Sequence, residues 1–301
     1  MKGFSLGVFV RGIAMGAADV VPGVSGGTVA FITGIYDELI ESLKACNLQA
    51  LQVLFKSGPL ACWQHVNGNF LLSLILGIVV SVVSLARVIS YGLHEHPLPL
   101  AALFFGLILA SALIVFRQIP QSGRQIGWLL FGVVFAVVIG ELRPADITAT
   151  PLSLFLSGAL AICAMILPGI SGSFILLLLG MYEPVINAVK QFDVVSLLSF
   201  VAGCAVGLML FVRLLSWLMH HHRPRLLATL TGILLGSLTI IWPWKFDAQG
   251  QLLSESLAPG WQNVLPWEYA SQADPQLLVS LIIAVAGVML VLVVEKIAHR
   301  S

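Results

Sequence analysis

Two short blocks carry the residue types that hold an anion: Pro22-Gly23-Val24-Ser25-Gly26-Gly27-Thr28 and Pro168-Gly169-Ile170-Ser171-Gly172-Ser173. Proline lacks the amide hydrogen and disfavours helix in the residue before it, so each block ends one helix. Ser25 and Ser171 then read as N-caps of a new helix, and Gly26, Gly27 and Gly172 carry no side chain to cover the amides. A helix start offers free N–H donors and about half a positive charge, which suits an anion. Arg87 and Arg213 sit near helix ends, where they either snorkel to the headgroups or, being equivalent across a repeat, serve the same anion. Asp19 precedes the first block. It caps a helix, pairs with Arg11, or carries a coupling proton or ion, so Asp19 and Arg11 stand as coupling or gating candidates.

Other chemistries find little support. His220, His221 and His222 are consecutive, so on a helix they splay apart, and they read as an interfacial basic cluster rather than a metal site. No histidine lies in an apolar core to activate Ser25 or Ser171. The chain is therefore expected to be no enzyme and to need no metal or other cofactor. Net charge is +1 and there is no extended lysine- and arginine-rich patch, which gives no reason to expect nucleic acid. Four cysteines, two in apolar runs and two in a connector, read as free thiols.

The elements that must position the blocks are written twice. Laying Pro22 on Pro168, an offset of 146, gives seven identities in 19 positions, among them Gly34/Gly180 and Tyr36/Tyr182. Arg87 to Ser111 lies on Arg213 to Ser237 at an offset of 126 with nine identities in 25, including Ser90/Ser216, His96/His222 and Gly106/Gly232. Residues 1–145 and 146–301 thus read as one unit used twice within a single membrane domain.

Composition supplies the solvent. With 58% hydrophobic residues, 10% charged and a mean hydropathy of +1.00, the chain cannot cover a water-soluble globule. Six apolar segments approach the roughly 20 residues that cross a bilayer: 70–91, 98–116, 126–140, 195–219, 226–242 and 277–295. The regions 4–36 and 152–182 are longer and are broken by the motif. The N-terminus has no cleavage pattern of small residues, so a removable signal peptide is not expected. The connector 37–69, with leucines at 43, 48, 51 and 54, suggests an interfacial helix, and 243–276 carries Trp244, Trp261, Trp267 and Tyr269 as headgroup anchors. Gly203/Gly207 and Gly232/Gly236 have the spacing of close helix packing.

Charge chooses the topology. If both motif regions re-enter, ten of the 15 Lys and Arg collect on one side and nine of the 14 acids on the other, which makes the first side cytoplasmic. The expected fold is an all-α polytopic membrane protein of two inverted repeats, each a re-entrant broken hairpin plus three transmembrane helices, with both termini cytoplasmic. Backbone breaks at membrane depth must be packed in protein or line a wet cavity. Paired half-helix ends meeting at the midplane are a way transporters hold a substrate.

The paired PGVSGG and PGISGS blocks, with GAADVVPG before the first and GIYDELI and GMYEPVI after them, resemble the bacterial polyprenyl-phosphate transporter family over essentially the whole chain. That resemblance implies the substrate, undecaprenyl phosphate, flipped across the bacterial cytoplasmic (inner) membrane for reuse in peptidoglycan synthesis. Its phosphate would meet Ser25, Gly26, Gly27, Thr28, Ser171, Gly172, Ser173, Arg87 and Arg213. The undecaprenyl-pyrophosphate phosphatases have a similar plan with a Pro-Gly-x-Ser-Arg-Ser loop, but Gly26 and Gly172 stand where that arginine would be, and the paired glutamates are absent. A secondary transporter of a small soluble anion shares the same site physics. Coupling and subunit number stay open, a homodimer being one arrangement.

Overall fold

The computed structural model describes residues 4–20, 25–119, 125–142, 147–247, 249–252 and 261–298. The first half contains α1 (Leu6–Val20), α2 (Gly26–Ile32), α3 (Tyr36–Ala45), α4 (Leu48–Ser57), α5 (Pro59–His65), α6 (Gly68–Glu95), α7 (Pro97–Arg117) and α8 (Ile126–Glu141). The second contains α9 (Pro151–Ile166), α10 (Gly172–Leu178), α11 (Tyr182–Gln191), α12 (Val194–His221), α13 (Arg223–Ile241), a two-residue ribbon of β1 (Lys245–Phe246) and β2 (Gln262–Asn263), then α14 (Pro266–Tyr269) and α15 (Leu277–Ala298). The protein is all-α apart from that ribbon, and it is a polytopic membrane protein. Among the described residues α7, α12 and α13 are long and apolar enough to cross a bilayer, or up to five spans if each of two bent pairs counts as one.

Local chemistry sets the boundaries. Pro97 opens α7, Pro151 opens α9, and Thr150 and Ser153 form a capping box there. Asp193 starts α12 by accepting from the amides of Val195 and Ser196. The matched His96 and His222 each make the turn between two long helices, at φ −137°, ψ 54° and φ −135°, ψ 32°. Gly34 and Gly180, also matched, both take positive φ, 71° and 66°, which explains why glycine stands at each.

The connector differs from the expected interfacial helix. It is three short helices, because Asn47 caps α4 by accepting from Gln49 and Ala50, and Gly58 at φ 88° precedes Pro59. Leu43 packs on the core while Leu48 and Leu51 are exposed. The expected belt of anchors also changes: Trp244 is buried with its Nε1 donating to Pro275 O at 2.9 Å, and Trp267 is exposed.

Four close helix seams hold the bundle. α1 packs on α6 and α9 on α12, each brought close by glycine, with Gly77 against Phe9 O and Gly203 against Phe155 O. The other two seams join the halves. α8 packs on α13 where Gly232 meets Leu129 O, and α15 packs on α7 where the matched Gly106 meets Ala284 O. Ile108, Leu230 and Leu234 are buried between the helices, while Val83 (74% exposed) and Leu278 (72%) present an apolar outer face that only lipid can cover.

In the second motif segment α10 packs back on α9, Leu154 near the start of α9 sharing a cluster with Leu176 of α10 and Met181 beyond it; in the first, α2 packs on α1 and the following α3 on α12. The two segments lead to different ends of α13. Arg223, its first residue, pairs with Asp37 of α3 at 2.7 Å, while Ile240 in its last turn packs on Phe174 and Leu178 of α10.

Candidate functional site

A helix that stops at membrane depth leaves its last carbonyls and the first amides of the next helix without partners. At α9 the stop is Leu167, extended at φ −68°, ψ 129° before the buried Pro168, with Gly169 at φ 89°. The orphan acceptors are satisfied from the other half. Ser25 Oγ donates to Met165 O at 3.0 Å, and the Tyr36 hydroxyl donates to Ile166 O at 3.3 Å. In return the Gly169 amide donates to Thr28 Oγ1 at 3.0 Å. The two breaks therefore meet, through side chains that are almost wholly buried: Ser25 at 0% exposed and Thr28 at 3%.

The helix starts are unequal. Ser25 is the N-cap of α2, its Oγ accepting from Gly27 N at 3.1 Å and its carbonyl from Thr28 N at 2.9 Å. Asp19 Oδ1 accepts from Gly26 N at 2.7 Å. Of the roles open to Asp19, the structure shows the cap, and it forms no ion pair with Arg11 among the described residues. The amides expected to stand bare at Gly26 and Gly27 are thus occupied from within, by a carboxylate placed where a helix start favours negative charge. At α10 the arrangement differs. Ser171 holds the N-cap position without a capping bond, its Oγ lying 2.7 Å from Ser173 Oγ. Among the described residues no acceptor meets the amides of Gly172, Ser173 or Phe174.

The glycines serve packing. A Cβ on Gly26 would fall 2.5 Å from Asp19 Oδ2, one on Gly27 2.5 Å from Ile166 O, and one on Gly172 2.7 Å from Ala161 O. Among the described residues no base faces the Ser25 hydroxyl, which is committed to a carbonyl and an amide. No group of three or more metal-ligating side chains is assembled among the described residues.

The arginines stand apart from the breaks. Arg213 is exposed on α12 while its neighbours Val212, Leu215 and Ser216 are buried, and no ion pair holds it among the described residues. Arg11 is half-buried on α1. Pro22, Gly23 and the side chain of Arg87 lie outside the described residues. One turn from Arg213, Met209 lines an apolar cleft of about 360 Å³ with Leu48, Leu51 and Val66.

A polar cluster went unread in the sequence. Ser216 Oγ donates to Glu41 Oε1 at 2.5 Å and accepts from Lys44 Nζ at 2.7 Å, tying α3 to α12. Burial pushes the Glu41 carboxyl up, but the Ser216 and Lys44 hydrogen bonds and the Lys44 and His220 charges outweigh it and hold the group below its usual range. The sequence signal was the identity of Ser90 and Ser216; the partners on α3 had none.

A family model described as undecaprenyl phosphate translocase-like matches residues 15–257. The chain is 47% identical over 300 residues to a polyprenyl-phosphate transporter of Vibrio cholerae serotype O1, covering 98% of this chain and 97% of that one. It is 28% identical over 253 residues to a polyprenyl-phosphate transporter of Staphylococcus aureus, covering 78% and 85%. No solved structure matches it.

Proposed function

The chain belongs to the undecaprenyl phosphate translocase-like family, and from that premise we propose that it flips a polyprenyl phosphate, undecaprenyl phosphate above all, across the bacterial cytoplasmic membrane. The carrier lipid would return for use in cell-wall synthesis. The observation that carries the reading is the meeting of the two breaks, where Ser25, Thr28 and Tyr36 bond the chain around Pro168. The halves act as inverted repeats: the two motif segments lead to opposite ends of α13, and each half lends its last long helix to the other. Each segment is a re-entrant hairpin, and alternating access rocks the halves about the paired breaks.

The phosphate is held where the half-helices start, by Ser171, Gly172 and Ser173 on one side and Ser25, Gly26, Gly27 and Thr28 on the other. On the second side the phosphate takes the place of the Asp19 carboxylate, which makes Asp19 the gating group. Arg87 and Arg213 receive the headgroup in the two alternating states. The apolar cleft beside Arg213 supports a lipid over a small soluble anion, since it offers the first isoprene units a surface one turn from the charge.

The test is reconstitution in liposomes with labelled undecaprenyl phosphate and, separately, its pyrophosphate. Movement of the monophosphate without release of phosphate is the expected result; release of phosphate from the pyrophosphate would replace the transporter with a hydrolase. Topology supplies a second test. Single cysteines at Asn69, Gln262 and Ser301 in a cysteine-free chain, probed with an impermeant maleimide in intact cells, should label at 262 alone. Labelling at 301 from outside would overturn the inverted arrangement.

A further inference from the structure

Beyond α13 the chain builds a small cap. Trp242 Nε1 donates to Val264 O at 2.8 Å, β1 pairs with β2, and the Phe246 and Tyr269 rings stack at 5.8 Å. A positive charge lies inside it. Lys245 is 9% exposed, its Nζ donating to Ile240 O in the last turn of α13 and standing 4.5 Å from the centroid of the Trp261 ring. Neither partner carries a charge.

Among the described residues the acids of the surrounding loop are spent elsewhere, Glu255 lying outside them. Asp247 accepts from the amides of Gln249 and Gln251, Glu268 from Leu265 and Asp274 from Gln276. Among the described residues Lys245 forms no ion pair. A charge withdrawn from water without a counter-charge is costly. Burial lowers the Lys245 pKa to about 8, which leaves the group mostly ammonium at neutral pH. The carbonyl at a helix C-terminus and the ring face make that tolerable, yet they use only part of a group with three donors.

The surroundings point to what would complete it. Trp261 also meets Phe174 at 6.2 Å, and Phe174 closes the first turn of α10, the helix whose opening amides have no acceptor. Lys245, Trp261 and Phe174 thus form a line from the cap to the second break.

We propose that Lys245 is an anion receptor for a phosphomonoester headgroup on the α10 side of the protein, handing it past Trp261 and Phe174 to the second break. This rests on the transport reading above and adds a residue to it. Lipid phosphate and inorganic phosphate present the same oxygens to the ammonium; the polyprenyl chain alone distinguishes them. The bland reading is that Lys245 only caps α13 through Ile240 O, and two substitutions separate the readings. Lys245→Gln keeps a donor for that carbonyl and loses the charge, while Lys245→Arg keeps the charge.

Purified wild-type and variant proteins in nanodiscs would be titrated with a labelled short-chain polyprenyl phosphate, with the uncharged polyprenol as control. Melting temperatures would be read alongside, and uptake measured in liposomes. Lys245→Gln should weaken binding of the phosphate about tenfold, Lys245→Arg less than about threefold, and polyprenol binding should not change. Competition by inorganic phosphate would make the free anion a second ligand; its failure would assign the receptor to the lipid headgroup, and either result keeps the receptor. Wild-type binding by Lys245→Gln, or equal loss in both variants, would overturn it and leave the transporter reading standing. Charge-dependent binding without transport would remove the transporter reading and leave the receptor in place.

Discussion

Gly27→Val stops transport and leaves the bundle assembled. The first added atom already falls 2.5 Å from Ile166 O and 3.1 Å from Ser25 Oγ, and a backbone oxygen at the end of α9 has no rotamer by which to yield. Valine adds two more carbons and a stiff χ1. The α2 start must therefore move off α9, which lengthens the Ser25–Met165 and Thr28–Gly169 bonds, each 3.0 Å. Those bonds satisfy polar groups with no water to turn to, and losing both costs about 2 to 6 kcal/mol at the site. The four long seams do not involve Gly27, so the variant should insert and express near normally. Uptake of labelled undecaprenyl phosphate should fall more than about thirtyfold, the ratio that corresponds to about 2 kcal/mol. Gly127→Val is the control, because a side chain there meets nothing within 4 Å. Normal uptake by Gly27→Val would show that the meeting of the breaks has no part in transport.

Arg213→Ala is the second large loss, and its position makes it a clean experiment. The side chain is exposed and makes no ion pair among the described residues, so its removal should change folding by less than about 0.5 kcal/mol. If it receives the phosphate through two charge-assisted bonds, the missing fork costs about 3 kcal/mol, a little over a hundredfold in affinity. Arg213→Lys should recover little of this, since an ammonium cannot reproduce the bidentate geometry. Arg87→Ala, its repeat counterpart, should impair loading from the opposite face. The measurements are binding of undecaprenyl phosphate to purified protein and one-sided uptake in oriented vesicles. Undiminished binding and uptake in both alanine variants would reduce the arginines to interfacial anchors.

Helix positions were legible because apolar runs have a length scale. Segments read at 70–91, 98–116, 126–140, 195–219, 226–242 and 277–295 correspond to α6, α7, α8, α12, α13 and α15. Internal repetition marked the turns as well, since His96/His222 and Gly34/Gly180 are identities imposed by matching backbone geometry. The site was legible in its residues and only partly in its bonds. Ser25 reads as a cap from local spacing, but its second bond, to Met165, spans 140 positions and leaves no local trace. Asp19 breaks the repeat, its counterpart being Met165, so the pattern left capping, pairing with Arg11 and coupling side by side; the bond of its carboxylate to the Gly26 amide comes from the fold. Ser171 matches Ser25 in type and position yet bonds Ser173, because Gly27 stands on the first side where Ser173 stands on the second and offers no hydroxyl.

The exchange of α8 and α15 between the halves also governs biosynthesis. Chains are made from the N-terminus, so α8 is complete long before its partner α13 exists, and α7 waits for α15, the last of the described helices. Until then the glycine flanks at 106 and 132 face lipid, or whatever insertion machinery shelters them. A nascent chain that stops after residue 145 has both helices without these partners. The two seams that cross the middle of the chain therefore close late, one with α13 and the other only with α15.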